Sequence, residues 1–390
     1  MDVAAPSAPP MPTSSAEVRV RPVVSSRDLR RFIDFPYSHY ASHPHWVPQL
    51  RMDVKKTLDP RKNPFFEHGK TALFLAEDGS GSVCGRIAAI VNAMHLQKYA
   101  DGNGFFGFFE CVERYEVAER LFDAAGDWLR EQGLTGVRGP TNPSMNDIAG
   151  LLVDGFDRPP SIMMPYNPAY YADFLQRYGF SRAMTMWAYY INNKYLSIEK
   201  LRRGVDLIYR RRPTLSLRKL DMGQFDRDAR IVLDIYNDAW SNNWGHVPMT
   251  PNEFAHLAKD LKKVVDPNIV YILEDAGRPV AFSVSLPNIN LALRHTNGRL
   301  LPFGLFQLLL RARFGGIYEC RTLLMGVIKE YQGMGLDAIM NLQIMIDGPK
   351  NGYIASEMSW VLDNNPAMIN AMMSFGGVKD KEYAMFERPL

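Results

Sequence analysis

The sequence is poor in cysteine: Cys84, Cys111 and Cys320 are the three among 390 residues. They are too few and too scattered for a disulfide framework or a closed four-ligand zinc site, so a reduced, cytoplasmic setting is expected. There is also no run of about 20 apolar residues, the length a helix needs to cross a bilayer. Charge of neither sign dominates. Lys+Arg number 45 and Asp+Glu 42, a formal net charge of +3, which is far from the basic footprint of a dedicated nucleic-acid binder. No HExxH motif occurs, and no metal is expected. Residues 1–17, "MDVAAPSAPPMPTSSAE", lack the basic start and the continuous apolar stretch of a secretory leader. Their Pro, Ala and Ser content reads as a disordered tail.

What is present is 46% hydrophobic and 22% charged, the balance of a globular chain able to bury substantial cores, and its length calls for two domains. Residues 18–195 alternate strand-like and helix-like segments. "TALFLAEDGSGSVCGRIAAIVN" reads as two strands around a Gly/Ser turn, and "YEVAERLFDAAGDWLREQG" carries apolar residues at helical spacing and stops at Gly133. "NPAYYADFLQRYGF" is a helix and "AMTMWAYYI" a closing strand. Residues 196–213, rich in arginine, form a basic helical connector. Residues 214–390 repeat the order, ending in "YIASEMSWVL", "NPAMINAMMSFGG" and a last strand, "YAMFER". Two Asn-Pro-Ala helices, each closing on an aromatic residue before glycine, mark a duplicated α+β unit: a mixed sheet flanked by helices, made twice.

The stretch "VIKEYQGMGLDAIM" carries the chemistry. A strand enters at Val327 and a helix leaves at Leu336, with Gln332, Gly333, Met334 and Gly335 between. Glycines at such a turn let the backbone approach a ligand, and the unpaired amides of the new helix then point at an anion. A tight turn alone would also account for the glycines. Asp337 would then be a first-turn acid, stabilised by the helix dipole at roughly 0.3–1 kcal/mol.

In order and spacing these segments resemble the GNAT acyltransferase superfamily, whose cofactor loop is Gln/Arg-x-x-Gly-x-Gly/Ala. Gln332 and Gly335 fit it; Asp337 departs from it at the last small position. The resemblance implies that main-chain amides from Val327 through Leu336 bind coenzyme A, with Asn365 of "NPAMINAMMSFGG" as the second motif's asparagine. The tyrosine usual in that motif falls at Met372, so the customary acid for the leaving thiolate is missing. The first half has no such loop and is expected to bind no cofactor.

Acyl transfer to an amine needs an unprotonated amine, a polarised thioester carbonyl and a departing thiolate. Parting strands supplying a backbone amide would do the polarising. Glu357 is the candidate base, the alternative being a strand-edge carboxylate that meets solvent. Asn243 and His246, in "YNDAWSNNWGHVPMT", are further catalytic candidates; a histidine there is otherwise a structural hydrogen-bonder. Trp244, Asn146, Asp147 and Tyr166 are candidates for holding the acceptor, with Asp147 alternatively a turn residue and Asn167 a helix cap. "RLLPFGLFQLLLRARF" is apolar nearly all round, too short to span a bilayer and flanked by arginines. Leu305, Phe306 and Leu309 in it suit a lipid-sized groove or a membrane interface, or else a buried plug.

Across nearly its whole length the chain resembles the tandem-GNAT, bacterial ceramide synthase-like family. The patterns are "GPTNPSMNDIAGLLVDGFDRPPSIMMPYNPAYY", "YNDAWSNNWGHVPMT" and "GLDAIM". That resemblance implies N-acylation of a sphingoid long-chain base by a fatty acyl-CoA, in the cytoplasm, at an anionic inner membrane surface, without nucleic acid. An acetyltransferase for a small amine or peptide, and a non-catalytic lipid-binding module, are the competing readings.

Overall fold

A computed structural model describes residues 17–195, 198–299, 310 and 316–390. In the first half the strands are β1 (Arg19–Pro22), β2 (Gly69–Glu77), β3 (Val83–Asn92), β4 (Asn103–Cys111) and β5 (Gly136–Gly139). They continue with the short β6 (Thr141–Asn142) and β7 (Ile148–Ala149), then β8 (Leu151–Asp154) and β9 (Ser181–Asn192). In the second half they are β10 (Leu215–Lys219), β11 (Val270–Asp275), β12 (Arg278–Pro287), β13 (Glu319–Val327), β14 (Ala355–Leu362) and β15 (Val378–Pro389).

Among the described residues these strands make one 13-stranded sheet in the order β1-β2-β3-β4-β5-β15-β9-β14-β13-β12-β11-β10, with β8 also on β15, and a separate β6–β7 pair. Neighbours run antiparallel except at β4–β5 and β13–β14, which are parallel. The fold is therefore α+β with a mixed sheet, built from two units of the same order, as the repeated pattern implied. The units exchange their last strands. β15 of the second half lies between β5 and β9 of the first, and β9 pairs with β14 of the second.

Helices cover both faces. Tyr115–Glu131 places Val117, Leu121, Phe122, Ala125 and Leu129 on the first half's sheet, one stripe at helical spacing, and ends before Gly133, whose φ of +81° a side chain would resist. In the second half Phe225–Ala239 and Pro251–Leu261 cover one face, while Leu336–Lys350 covers the other. The connector contains the helix Glu199–Arg211. It buries Val205 against Leu336–Lys350 and leaves Arg202, Arg203, Arg210 and Arg211 in solvent.

Three elements depart from the sequence reading. "NGFFGFFEC" is a full strand, β4, and Ala93–Tyr99 is a helix. The helix Pro251–Leu261 follows an irregular segment and carries a complete capping box: Glu253 N–H donates to Thr250 Oγ1 at 3.2 Å, and Thr250 N–H to Glu253 Oε2 at 2.9 Å. Asn167 is no helix cap. Its side chain bridges the Leu152 backbone, accepting at 2.8 Å and donating at 3.0 Å.

Candidate active site

β13 and β14 pair only from Glu319↔Ala355 to Thr322↔Met358 and then part. Register shifts on both outer sides drive the parting: β12–β13 slips between Val284 and Ser285, and β14–β9 slips between Met358 and Val361. A bulge adds local twist and re-aims a strand end. Between the parted ends opens a cavity of about 490 Å³. Its wall runs from Arg321 along β13 to the glycine turn, returns over Trp360–Leu362 to Asn365, and is closed by residues 145–147 and 236–249.

The glycine turn forms the outer end. Gly333 and Gly335 both have φ of +77°, open to glycine and strained for other residues. A Cβ on Gly333 would meet nothing within 4 Å, whereas one on Gly335 would come 3.1 Å from Ile208 Cδ1 of the connector helix. Gly335 is the N-cap of Leu336–Lys350 and brings no side-chain cap; the amides of Asp337 and Ala338 are held by the Asp337 carboxylate and the Gly335 carbonyl, while those of Gly335 and Leu336 have no protein partner among the described residues. Open space at Gly333, the amides of Gly333, Gly335 and Leu336, unpartnered among the described residues, and the helix dipole fit a diphosphate. Val327, Gln332, Gly333, Gly335, Leu336 and Asn365 all reach the cavity wall. Gln332 also ties the turn down, donating from Nε2 to the Val327 carbonyl at 3.1 Å. Met334 turns outward, where its sulfur accepts from Arg212 Nη2 at 2.9 Å, and it does not line the cavity. Asn365 Oδ1 caps the helix Pro366–Ser374, accepting from Met368 N–H at 3.1 Å. Asp337 does face the cavity. Burial pushes its carboxyl upward, while the amides of Asp337 and Ala338 pull it down.

The opposite wall joins the two halves. Asp147 Oδ2 accepts from Ser144 Oγ at 2.7 Å and Ser144 N–H at 3.3 Å, leaving Oδ1 without a protein partner among the described residues. Enclosure by protein around the cavity pushes this carboxyl up to about 6. Asn146 accepts from Tyr236 Oη at 2.8 Å and donates to the Val247 carbonyl at 3.1 Å. His246 is held by Lys98, whose Nζ lies 3.3 Å from its Nδ1 and donates to its carbonyl at 2.7 Å. Burial first, then the Lys98 charge, push the imidazole down to about 4. Trp244 lies on the wall with the Arg138 guanidinium 5.1 Å above its ring, and Asn243 lines the wall beside it.

Some candidates fall elsewhere. Glu357 is not on the wall. It is 6% exposed, so it does not meet solvent as an edge carboxylate would, and it accepts from Ser359 Oγ at 2.7 Å. Tyr166 packs edge-on to Tyr40 and His43, away from the cavity. Leu305, Phe306 and Leu309 lie outside the described residues. His39 and His43 share an i,i+4 spacing, yet no group of three metal-ligating side chains occurs among the described residues.

In the first half β4 and β5 also part after Phe105↔Arg138, but the chain itself fills the gap. The Thr141 carbonyl would sit 1.6 Å from a Cβ on Gly107, and Asn142 Oδ1 accepts from Phe108 N–H at 2.6 Å. Among the described residues the open split is that of the second half. Sequence reasoning missed Lys98, Tyr236 and Arg321 on or behind its wall. Arg321 had a signal, a lone cation inside the apolar run "CRTLLMGV".

Comparison with characterised proteins accords with this geometry. A protein called bacterial ceramide synthase, from Caulobacter vibrioides (strain NA1000 / CB15N), is 37% identical over 391 residues, covering 98% of this chain and 100% of its own length. The chain belongs to the tandem-GNAT, bacterial ceramide synthase-like family of acyltransferases. Protein YghO of Escherichia coli (strain K12) is 33% identical over 377 residues, 95% of each chain. Among solved structures, a tandem GNAT protein from the clavulanic acid biosynthesis pathway superposes with a TM-score of 0.56 at 11% identity, over 96% of this chain and 98% of that one. A GCN5-related N-acetyltransferase from Sphaerobacter thermophilus gives 0.50 at 10% identity over 95% of both. At such identities the likeness is one of fold. No protein-family model matches the sequence.

Proposed function

We propose that this family member transfers a fatty acyl group from acyl-CoA to the amine of a long-chain, sphingoid-type base. The observation that carries the reading is continuity. One cavity joins an uncapped, glycine-turned helix start, suited to a diphosphate, to a carboxyl at Asp147 suited to an amine. Methionines (Met145, Met163, Met186 and Met325) line it, adaptable walls for an alkyl chain, and its volume lies in the usual range for small-molecule sites. The printed name of the Caulobacter relative supports the choice of acceptor.

In this reading Gly333, Gly335 and Leu336 hold the donor's diphosphate through main-chain amides. The acceptor enters as an ammonium and pairs with Asp147 Oδ1, which removes its proton. A carboxyl poised near 6 is charged at neutral pH yet basic enough for that transfer. Asn146, Tyr236 and Trp244 shape the acceptor's polar end. His246 carries its hydrogen on Nε2, because Lys98 donates to Nδ1, and so serves as a donor. Among the described residues no helix is long and apolar enough to cross a membrane. The acceptor is taken from the anionic inner membrane surface.

The test is to incubate purified protein with palmitoyl-CoA or acetyl-CoA and a panel of amines, following free thiol and amide mass. N-acyl products from long-chain donors and sphingoid-type bases are expected. Turnover of acetyl-CoA alone would make it an acetyltransferase, and silence with retained lipid binding would make it a carrier.

A further inference from the structure

One charged side chain on the cavity wall has no task in the scheme above. Arg321 is 1% exposed, the largest of the fully buried side chains, yet it borders the cavity. Its Nε donates to Ser359 Oγ at 2.8 Å, Nη1 to the Ile162 carbonyl at 2.8 Å and Nη2 to the Ser359 carbonyl at 3.1 Å. A guanidinium has five N–H groups. Three are bonded, so one on each terminal nitrogen remains without a protein partner among the described residues. Burying a cation with spare donors is costly unless something uses them.

We propose that Arg321 is a catalytic residue that binds the thioester carbonyl oxygen of the acyl donor and stabilises the negative charge that grows there during amine attack. This rests on the acyltransferase reading given above.

Position supports it. Arg321 sits at the closed end of the split, one residue before the last β13–β14 pair at Thr322↔Met358. Six residues of extended strand separate it from Val327 and the glycine turn, about 20 Å. A coenzyme A thioester anchored by its diphosphate at that turn carries its acyl carbon at the far end of a linear arm, which would lie along the split toward Arg321.

The surroundings keep the guanidinium fixed and charged. Ser359 Oγ accepts from Arg321 and donates to Glu357 Oε1 at 2.7 Å, so the three form a relay of hydrogen bonds, and Glu357 Oε1 lies 3.8 Å from Arg321 Nε. Burial pushes the guanidinium down to about 10, still cationic at neutral pH, while Glu357 opposes that fall. The Trp360 ring lies 5.7 Å from the guanidinium carbon. Glu357 therefore acts through Arg321 and is a positioning residue, not the base.

The step balances without a further reagent. The amine lone pair forms the C–N bond at the acyl carbon, and the carbonyl π pair moves onto oxygen beside Arg321. That pair returns, the C–S bond breaks and the electrons leave on the thiolate. Asp147 hands the ammonium's proton to water before the attack, then takes the second proton from the attacked nitrogen and returns it through water to the thiolate, which leaves as free thiol. A preorganised donor of this kind is worth about 100-fold in kcat or more.

The test uses the full chain. Arg321→Met alone would strand Glu357, so the main variant is Arg321→Met with Glu357→Gln, which removes both buried charges together. Its kcat with palmitoyl-CoA is expected to fall about 100-fold, with donor KM rising by no more than the ketone preference that is lost. Arg321→Lys should fall in between. A binding measurement runs in parallel with two unreactive palmitoyl-CoA analogues, a thioether without the carbonyl and a ketone that keeps it. The native protein should bind the ketone more tightly, and the double variant should bind both alike. Near-native kcat in the double variant, or an unchanged preference for the ketone, overturns the role. A loss confined to amines that carry a hydroxyl or keto oxygen would reassign Arg321 to the acceptor. If the native protein neither turns over nor binds any long-chain donor, the acyltransferase reading falls first.

Discussion

Lys98, on a short helix of the first half, donates to Nδ1 of His246 in the second half at 3.3 Å and to its carbonyl at 2.7 Å. The contact fixes more than position. Nδ1 accepts, so the neutral ring carries its hydrogen on Nε2, and that buried nitrogen has no protein partner among the described residues. Burial, with the Lys98 charge added, depresses the imidazole to about 4. Lys98→Met is expected to raise that value, read by following the ring through a pH titration by NMR. An unmoved titration would mean that burial alone sets it and that Lys98 merely packs.

Asp147 ties activity to pH. A base must be ionised to accept a proton, so kcat/KM should fall with unit slope as pH drops below about 6. Asp147→Asn should lower kcat by about 100-fold or more and erase that limb. The stability effect runs the other way. The folded-state value lies above the ordinary one near 3.9, so the folded protein binds the extra proton between about 4 and 6, and stability falls as pH rises through that window. Asp147→Asn is therefore expected to raise Tm at pH 7. A variant that loses activity and stability together would identify Asp147 as structural.

Gly335 reports on the donor site. Its φ of +77° costs an ordinary residue about 1–2 kcal/mol, and a new Cβ would press on Ile208 at 3.1 Å. Gly335→Val should lower Tm and raise the KM for acyl-CoA, whereas the KM for the amine should hold. Equal effects on both substrates would mean that the turn serves the fold and not the donor.

Asp337 makes the opposite prediction at the same place. A carboxylate facing the cavity at the start of a helix competes with a diphosphate for the same amides. Asp337→Asn is expected to tighten acyl-CoA binding severalfold at low salt, with the gain shrinking as salt screens it. Weaker binding would show that the carboxylate holds some other part of the donor.

How legible was this in the sequence? The repeated order of elements and the glycine turn were, because they follow from local rules: apolar periodicity, Asn-Pro starts and glycines that need positive φ. The turn's wall positions followed from the glycine spacing together with the family resemblance, Met334 excepted, because which way a side chain points depends on Arg212 from a distant segment. Glu357 was placed on the right strand and given the wrong neighbours. Its burial depends on Arg321 across the parallel pair and on Ser359 two residues ahead, contacts that exist only once the sheet forms. Lys98 lies 148 residues from His246, and no local pattern links them. The Thr250–Glu253 capping box was readable and was passed over.

The strand exchange is the least local feature, and it sets how the protein must fold. β15 brings Tyr383, Ala384, Met385 and Phe386, all 0% exposed, into the centre of the sheet, and Ala384 and Phe386 pack into the first half's core. β9 in turn supplies the edge on which β14 closes. A fragment of residues 1–213 would leave β5 and β9 without β15, and a fragment of residues 214–390 would leave both β14 and β15 without β9. Each would expose a long apolar edge prone to association. Neither fragment should fold alone, and the two co-expressed should form a 1:1 complex. The intact chain should unfold in one transition, with calorimetric and van't Hoff enthalpies agreeing. A monomeric 214–390 fragment with its own cooperative melt would show that the exchange is a late docking event and that the two units fold independently.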